Sequence, residues 1–129
     1  MPDTMIFDTD IFIWAQRGNR KAAELMEKDG ARYLSIQAYM KLLQGARTKS
    51  QHKQIKDFLT TFGFTILPFT ENIGHRASIY VEEYTLSSKV RAGDAIIAAT
   101  AVENNLMLAS SDGKHFKAIK DLKLKVFKP

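Results

Sequence analysis

The chain has 129 residues, of which 45% are hydrophobic, so it is long enough for one globular domain with a buried core. It contains no cysteine, which excludes disulfides and thiolate-bound metals and leaves oxygen or histidine as metal ligands. The formal charge of +5 favours an anionic partner such as nucleic acid or an acidic protein. The first ten residues, MPDTMIFDTD, carry acids where a signal peptide would carry positive charge, and no apolar run reaches membrane length, so we expect a soluble cytoplasmic protein.

Short apolar strands alternate with helices along the chain. In chain order, we predict a strand at 5–7, helices at 11–16 and 21–28, a strand at 33–36, a helix at 38–46, a helix ending at Gly63, a strand at 64–67, a helix at 71–84, a basic loop at 87–93, a buried helix from 93–94 to 103, a strand at 106–109, a helical turn at 115–119 and an edge strand at 122–127. This alternation predicts an α/β domain with three α/β/α layers and a central, mostly parallel sheet of four to five strands. We find no repeat or linker, so residues 1–129 are predicted to form a single domain.

The stretch from Arg91 to Phe116, RAGDAIIAATAVENNLMLASSDGKHF, organises the predicted fold. Asp94 stands in the first turn of its helix, and the residues from Ala95 to Val102 are small or apolar. A helix without a wide polar face must be buried on most sides. We therefore place this helix against the centre of the sheet.

Three aspartates are predicted to meet at one edge of that sheet. Asp8 ends the first strand, Asp94 opens the helix that runs down to the fourth strand, and Asp112 follows the fourth strand. Their carboxylates repel one another unless a cation or protons neutralise them. Mg²⁺ or Mn²⁺ suits such an all-oxygen site and can activate a water for attack on a phosphodiester.

Each aspartate also has a purely structural interpretation. Asp94 could be a capping residue of its helix, and Asp112-Gly113 could be an ordinary turn. Asp8-Thr9-Asp10 could cap the short helix that follows. The conjunction of all three acids on one edge favours a site. Asp10 is interpreted as a cap or a residue behind the site, because its side chain is expected to point away from that of Asp8.

Three segments match a known family: FDTDIFIWAQRGN, YLSIQAYMKLLQGAR and GDAIIAATAVENNLMLASSDGKHF. They resemble the sequence blocks of PIN-domain ribonucleases, most closely the small VapC-type toxins of bacterial toxin–antitoxin pairs. The resemblance covers nearly the whole chain. It implies a compact α/β/α domain, Mg²⁺-dependent RNA cleavage, inhibition by a co-expressed antitoxin and a homodimer. It also implies that Asp8, Asp94 and Asp112 are catalytic metal ligands, and that Ser110 supports Asp112.

One position departs from the family pattern. The family carries a glutamate in the second block, followed by leucine and then glycine, whereas this chain reads Lys41-Leu42-Leu43-Gln44-Gly45. The change alters the charge of the site by two units, and each charge–charge term at about 4 Å is roughly 4 kcal/mol before screening. Lys41 could occupy the cation's place and pair with Asp8 or Asp94, or lie one helical step away as a surface lysine. If it lies in the site, we expect a weak or inactive nuclease.

Basic residues near the acids form the predicted substrate-binding set. Arg47 follows the second-block helix, and Lys89 and Arg91 precede Asp94, so they could hold RNA phosphates, although a run of charges is usually a solvated face. Ser110 is included in this set. His115 is interpreted as a surface or capping histidine in preference to a metal ligand.

Three other functions are considered. Asp8-Thr9-Asp10 after an apolar strand also resembles the start of a haloacid dehalogenase-type phosphatase, but Ile97 to Ala99 supply no paired acid after Asp94. A receiver domain would need an aspartate at the end of the third strand, where this chain reads Leu67-Pro68-Phe69. The remaining alternative is a PIN-like protein that binds RNA or an antitoxin without cutting, and Lys41 favours it.

Overall fold

The structure, a computed structural model, describes residues 4–28 and 30–129. Its strands are β1 (Met5–Phe7), β2 (Arg32–Ser35), β3 (Phe64–Leu67), β4 (Met107–Ser110) and β5 (Lys123–Val126). Its helices are α1 (Thr9–Gln16), α2 (Arg20–Glu27), α3 (Ile36–Gly45), α4 (Lys49–Thr61), α5 (Glu71–Ser88), α6 (Ala92–Glu103) and α7 (Gly113–Phe116). No described helix has the length and apolar character needed to cross a membrane.

The five strands form one sheet in the order β3-β2-β1-β4-β5, and every neighbouring pair is parallel. Strand β1 lies at the centre, where Ile6 is in register with Tyr33 of β2 and Leu108 of β4. The predicted parallel sheet is confirmed, and so is the edge position of β5. Central parallel strands are covered on both faces, which explains why β1 is apolar at every position.

Helices cover the two faces of the sheet and form two apolar cores. Ile6 and Leu108 face the core built with α5 and α6. Met5, Phe7 and Leu34 face the core built with α1, α2, α3 and α4. Successive side chains of a strand point to opposite faces, so one short strand contributes to both cores. The predicted three-layer α/β/α architecture is confirmed.

Helix α6 is the most buried helix described. Ala95 and the run from Ile97 to Ala101 are buried, as the apolar sequence predicts. Small side chains at these positions let the backbone of α6 approach the sheet and α5 closely. Asn104 caps the helix and Asn105 adopts a positive φ of 53°, so the predicted end of the helix is confirmed.

Three element boundaries differ from the prediction in ways that affect the site. The helical turn predicted at 115–119 is α7, which lies at Gly113–Phe116 and has Asp112 as its N-cap. Helix α5 continues to Ser88 and ends where Lys89 adopts a left-handed conformation (φ 58°), so the predicted basic loop shrinks to residues 89–91. Helix α1 begins at Thr9 instead of Ile11, because the Asp8 carboxylate accepts the Thr9 N–H and caps the helix. The predicted stop of α2 at Asp29-Gly30 falls partly outside the described residues, and α2 ends at Glu27.

Candidate active site

Four aspartates lie near the carboxyl edge of the sheet, where β1 and β4 end side by side. Asp8 directly follows β1, and its N–H donates to the carbonyl of Ala109 in β4 at 2.9 Å. Asp10 lies in the first turn of α1, and Asp94 lies in the first turn of α6. Asp112 is the N-cap of α7. The chain topology thus brings acids from three separate segments to one edge, as predicted.

Ser110 joins Asp8 to Asp112. Its hydroxyl donates to Asp8 Oδ2 at 2.9 Å and accepts the backbone N–H of Asp112 at 3.0 Å. The other oxygen of the Asp8 carboxylate accepts the N–H of Thr9 at 2.8 Å. The structure corrects the substrate-binding role predicted for Ser110, because a hydroxyl of a completely buried residue (0% exposed) cannot reach a substrate. Its place is behind the acids, where it fixes their orientation.

His115 stands between Asp94 and Asp112. Its Nδ1 lies 2.8 Å from Asp112 Oδ2 and 4.0 Å from Asp94 Oδ2, and its side chain is 32% exposed. His115 is the capped residue and not the cap that was predicted, because its N–H donates to Oδ1 of Asp112, the N-cap of α7, at 3.4 Å. It is not a free surface histidine, because its ring links two of the predicted ligands. Residues three apart on a helix share a face, so the Asp-x-x-His spacing could have revealed this contact.

The Asp94 carboxylate also has the capping role that the sequence allowed. Its Oδ2 accepts the N–H of Arg91 at 3.2 Å, across the first turn of α6. That bond occupies one oxygen of the carboxylate and fixes the side chain at the end of the helix facing Asp112. Capping and ligand roles are therefore compatible at this position.

Asp10 lies behind the site, as the sequence interpretation placed it, but the direction of its side chain differs from the expectation. It was expected to point away from the site, yet its Oδ2 accepts the N–H of Ser111 at 2.9 Å. The reason is that α1 begins at Thr9, so Asp10 lies within the first turn and faces the segment after β4. Two adjacent serines after the strand next to β1 were the signal available in the sequence.

The pKa of the Asp8 carboxyl is raised to about 6. Burial is the largest cause, and the neighbouring Asp10 carboxylate is the next. Hydrogen bonds from Ser110 and Thr9 act in the opposite direction, and Asp94 adds a smaller increase. Negative charge at this edge is therefore incompletely compensated by the protein's own groups.

The comparison with protein families agrees with this geometry. The sequence profile described as "PIN domain" matches residues 5–122. The chain belongs to the PIN-domain family. Among curated PIN relatives it is 31% identical to "Ribonuclease VapC10" of Mycobacterium tuberculosis, over 92% of this chain and 90% of the relative. It is also 31% identical to "Ribonuclease VapC1" of Rickettsia felis, over 93% of both chains.

Solved structures give the same fold. A "Toxin-antitoxin complex from Klebsiella pneumoniae" contains a chain with a TM-score of 0.78 and 29% identity, covering 92% of this chain and 94% of that one. The VapBC2 complex of Rickettsia felis matches with a TM-score of 0.80 at 21% identity, over 97% of this chain and 99% of that one. Together with the VapC relatives, these matches confirm the predicted PIN fold and VapC-type resemblance. Membership of this family sets aside the phosphatase and receiver-domain alternatives.

Lys41 lies beside the first turn of α6 in this PIN domain. Its Nζ would be 3.2 Å from a Cβ placed on Gly93, the residue before Asp94. The side chain is exposed, and within the described residues it forms no ion pair at 4.0 Å or less. The pairing with Asp8 or Asp94 that the sequence suggested is therefore not formed. Lys41 nevertheless brings its charge close to the acidic edge.

The three predicted phosphate-binding residues are exposed. Arg91 is the N-cap of α6, and Lys89 caps the end of α5, so both lie on the short connection that leads to Asp94. Arg47 follows the end of α3, six residues beyond Lys41. The first two residues are thus close in the chain to the acidic edge, whereas Arg47 lies on the connection between α3 and α4.

An apolar groove of about 930 Å³ runs between α1, α2, α3 and α4. Its apolar lining includes Phe12, Ile13, Met26, Leu42, Ile55 and Phe58. Thr9 and Lys41 also line it, which makes the groove continuous with the acidic edge. Glu27 and Lys41 are the two charged residues among the described side chains that line it.

The acids at this edge suit Mg²⁺ or Mn²⁺ in the kind of donor they offer. Carboxylate oxygens are the ligands these hard cations prefer. Asp10 Oδ1 is buried and has no hydrogen-bond partner among the described groups, and the pKa of Asp8 is raised. The negative charge of these carboxylates is therefore not fully compensated by the protein's own groups. In residues 4–28 and 30–129, however, no three potential ligands are already grouped tightly enough to bind one ion. The donor chemistry fits, and binding must bring the carboxylates closer together.

Proposed function

We propose that this chain is a VapC-type endoribonuclease that uses Mg²⁺ or Mn²⁺ to cleave RNA phosphodiester bonds, with an activity that Lys41 lowers. The observation that carries the proposal is the meeting of Asp8, Asp94 and Asp112 at one sheet edge. Within the described chain, no lysine or arginine nitrogen comes within 4.0 Å of these carboxylates, and His115 is their basic neighbour. The VapC ribonucleases that resemble the chain over most of its length support the same conclusion.

In this proposal, Asp8, Asp94 and Asp112 hold the divalent ion through their carboxylate oxygens. When bound, the ion supplies an activated water and neutralises charge on the phosphate. Ser110 keeps one Asp8 oxygen occupied, which leaves the carboxylate turned in a single direction. His115 Nδ1 lies 2.8 Å from Asp112 Oδ2, and this contact fixes the orientation of Asp112.

RNA is the proposed substrate because exposed positive charge adjoins the acidic edge. Lys89 and Arg91 lie on the connection before Asp94, and Arg47 extends the positive surface beyond Lys41. Arginine and lysine bind phosphates, and each phosphate contact makes affinity fall as salt rises. The net charge of +5 also favours the binding of a polyanion such as RNA.

An antitoxin is the proposed protein partner, and its proposed binding site is the apolar groove between α1, α2, α3 and α4. Similar solved chains come from toxin–antitoxin complexes. An amphipathic helix with an apolar stripe would bury Ile13, which is 41% exposed, together with the aromatic floor at Phe12 and Phe58. Because Thr9 and Lys41 line the groove, a partner bound there would also cover the way to the acids.

A homodimer is also proposed. Met40 is 54% exposed, Phe69 is 52% exposed and Leu86 is 95% exposed, and all three lie outside the lining of the groove. A contiguous exposed apolar patch marks an interaction site, whereas single exposed apolar residues are ordinary, so the proposal rests on these side chains sharing one dimer face. Sedimentation equilibrium should give a mass of twice 14.6 kDa, and Leu86→Arg should lower the dimer fraction.

A non-catalytic PIN-like protein is the second candidate, and the observation that favours it is Lys41. An ammonium beside Gly93 repels a divalent cation near Asp94. Such a protein would keep the antitoxin groove and the basic surface and would bind without cutting.

The deciding experiment is an RNA cleavage assay on the Lys41→Glu variant, in Mg²⁺, in Mn²⁺ and in EDTA. We expect cleavage that needs the metal and is lost when Asp94→Asn is added. Asp57→Asn is the matched control, because Asp57 is an exposed acid on α4, and it should leave the rate unchanged. Cleavage that persists in EDTA, or in the Asp94→Asn variant, would overturn the proposal. Failure of Lys41→Glu to cut at all would favour the non-catalytic candidate.

A further inference from the structure

Asp10 connects two segments that are about a hundred residues apart in the chain. It belongs to α1, after β1, whereas Ser111 follows β4. Asp10 Oδ2 accepts the Ser111 N–H at 2.9 Å, and the Ser111 hydroxyl donates to the same oxygen. Ser110 Oγ also approaches this oxygen, at 3.4 Å. A single carboxylate oxygen therefore holds both the backbone and the side chain of Ser111.

The segment held in this way is the one that carries Asp112. Ser110 Oγ has one hydrogen, which the 2.9 Å contact assigns to Asp8 Oδ2, so Ser110 cannot also donate fully to Asp10. Its lone pair accepts the Asp112 N–H at 3.0 Å. Ser110 therefore sets the distance between Asp8 and Asp112, and Asp10 holds the next residue so that this arrangement persists.

The other oxygen of Asp10 suggests that the contact serves more than stability. Asp10 Oδ1 is buried and has no hydrogen-bond partner among the described groups. An unpartnered buried oxygen is unfavourable, and such groups in native proteins are concentrated where function requires them. The chain retains this unfavourable arrangement at the acidic edge.

We propose that Asp10 is a positioning residue of the nuclease centre, which clamps Ser111 so that Asp112 faces Asp8 across the metal position. The inference rests on the proposed function. Asp10 itself need not touch the metal ion or the RNA. The clamp acts through the Ser111 N–H, and without it the segment from Ser110 to Asp112 is free to move away from β1. Partners that orient metal ligands typically change metal affinity by about 10- to 100-fold when they are removed.

The competing explanation is that Asp10 is simply an acid in the first turn of a helix, where the helix dipole favours negative charge. Under that explanation the negative charge of Asp10 is what stabilises the helix, and its hydrogen bond with the Ser111 N–H has no role in metal binding. Asp10→Asn removes the charge but keeps an oxygen that can accept the Ser111 N–H, and Asp10→Ala removes both. Glu71 provides a matched control, because it is an exposed acid in the first turn of α5.

The parent of the experiment is the Lys41→Glu protein. It is compared with three variants made in that background: Asp10→Asn, Asp10→Ala and Glu71→Ala. NMR first reports the amide resonances of Ser111 and Asp112 in metal-free protein, and titration with Mn²⁺ then reports affinity. We expect Asp10→Ala to lose the hydrogen-bonded Ser111 amide shift and at least about tenfold in Mn²⁺ affinity. Asp10→Asn should keep the Ser111 shift and stay within about threefold of the parent affinity. Glu71→Ala should change neither and lower Tm by no more than about 3 °C.

Two results would overturn the clamp. One is an Asp10→Ala protein that retains the Ser111 and Asp112 amide shifts, and the other is an Asp10→Asn protein that loses affinity as fully as Asp10→Ala. If Asp10→Ala does not fold, the Asp10→Asn result alone decides, because the dipole explanation predicts that it behaves like a loss of charge. If the parent binds no Mn²⁺, the proposed function fails, and the amide shifts still test the clamp separately.

Discussion

The two ends of helix α6 carry two acidic clusters that are built differently. At the carboxyl end of α6, Glu103 Oε2 forms an ion pair with Arg76 Nε at 2.5 Å. The same guanidinium forms a second ion pair with Asp121 at 3.0 Å. Tyr80 adds a hydrogen bond to Asp121 at 2.9 Å. Burial raises the pKa of Tyr80 to about 12, so this hydroxyl keeps its proton and donates. The acids at this end have their own cation.

At the beginning of α6, Asp94 meets Asp112 and His115, and Asp8 lies with Asp10 at the same edge. Serine hydroxyls and one imidazole are the neighbours of these acids, and no guanidinium joins them within the described residues. Acids whose charge is already balanced stabilise the fold, whereas acids left without a cation can bind one. The two ends of α6 thus separate acids whose charge is balanced by Arg76 from acids that are proposed to bind a cation.

The largest expected effect comes from Lys41, whose charge lies beside the second cluster. Lys41→Glu should raise metal-dependent RNA cleavage at least about tenfold, because it replaces a cation beside the first turn of α6 with an anion, and a tenfold change needs only about 1.4 kcal/mol. Lys41→Gln, which removes the charge without adding an acid, should give an intermediate rate. The measurement is the initial rate of RNA cleavage in Mn²⁺ for the three proteins.

Lys56→Glu is the matched control for that series, because Lys56 is an exposed lysine on α4. It makes the same change of net charge and should leave the rate unchanged. Equal rates for the unaltered chain and Lys41→Glu would place Lys41 outside the site.

The next effect is on stability, and it concerns Asp8. Its folded pKa of about 6 lies above the ordinary 3.8, so the folded state holds the proton more tightly, and stability is lost as pH rises from about 4 to 6. An asparagine side chain does not titrate, so Asp8→Asn should stabilise the metal-free protein by up to about 3 kcal/mol above pH 6. Urea unfolding in EDTA at pH 4, 6 and 8 measures this difference.

The exposed Asp57→Asn change should show no such pH dependence. An Asp8→Asn protein that is equally or less stable than the parent at pH 8 would show that the charge at this edge is already compensated.

A smaller effect is expected at the other end of α6. Arg76→Met should lower the free energy of unfolding by about 1–2 kcal/mol, because Glu103 and Asp121 lose their shared cation. RNA cleavage should stay unchanged. Lys53→Met breaks the exposed pair with Asp57 and should cost less than about 0.5 kcal/mol. If Arg76→Met also reduced Mn²⁺ binding, the two clusters would not be independent.

Patterns that depend on backbone periodicity were predictable from the sequence. The apolar run after Asp94 predicts a buried helix, and strands alternating with helices predict a parallel sheet whose carboxyl edge gathers Asp8, Asp94 and Asp112. Contacts that depend on the reach of one side chain left only weak signals in the sequence, such as the Asp-x-x-His spacing and the adjacent serines. The Asp10 contact with Ser111 depends on where α1 begins, which is decided by the Asp8 cap. The end of α5 likewise depends on a left-handed conformation at Lys89, a non-glycine residue with no turn signal of its own.

We expect the acids at the beginning of α6 to bind a divalent cation and the acids at its end not to bind one. Mn²⁺ titration at pH 7.5, followed by electron paramagnetic resonance, tests it directly on the Lys41→Glu protein. We expect adding Asp94→Asn to lower Mn²⁺ affinity by at least about tenfold and adding Glu103→Gln to leave it unchanged. Equal Mn²⁺ affinity with and without Asp94→Asn would show that these acids do not bind the cation.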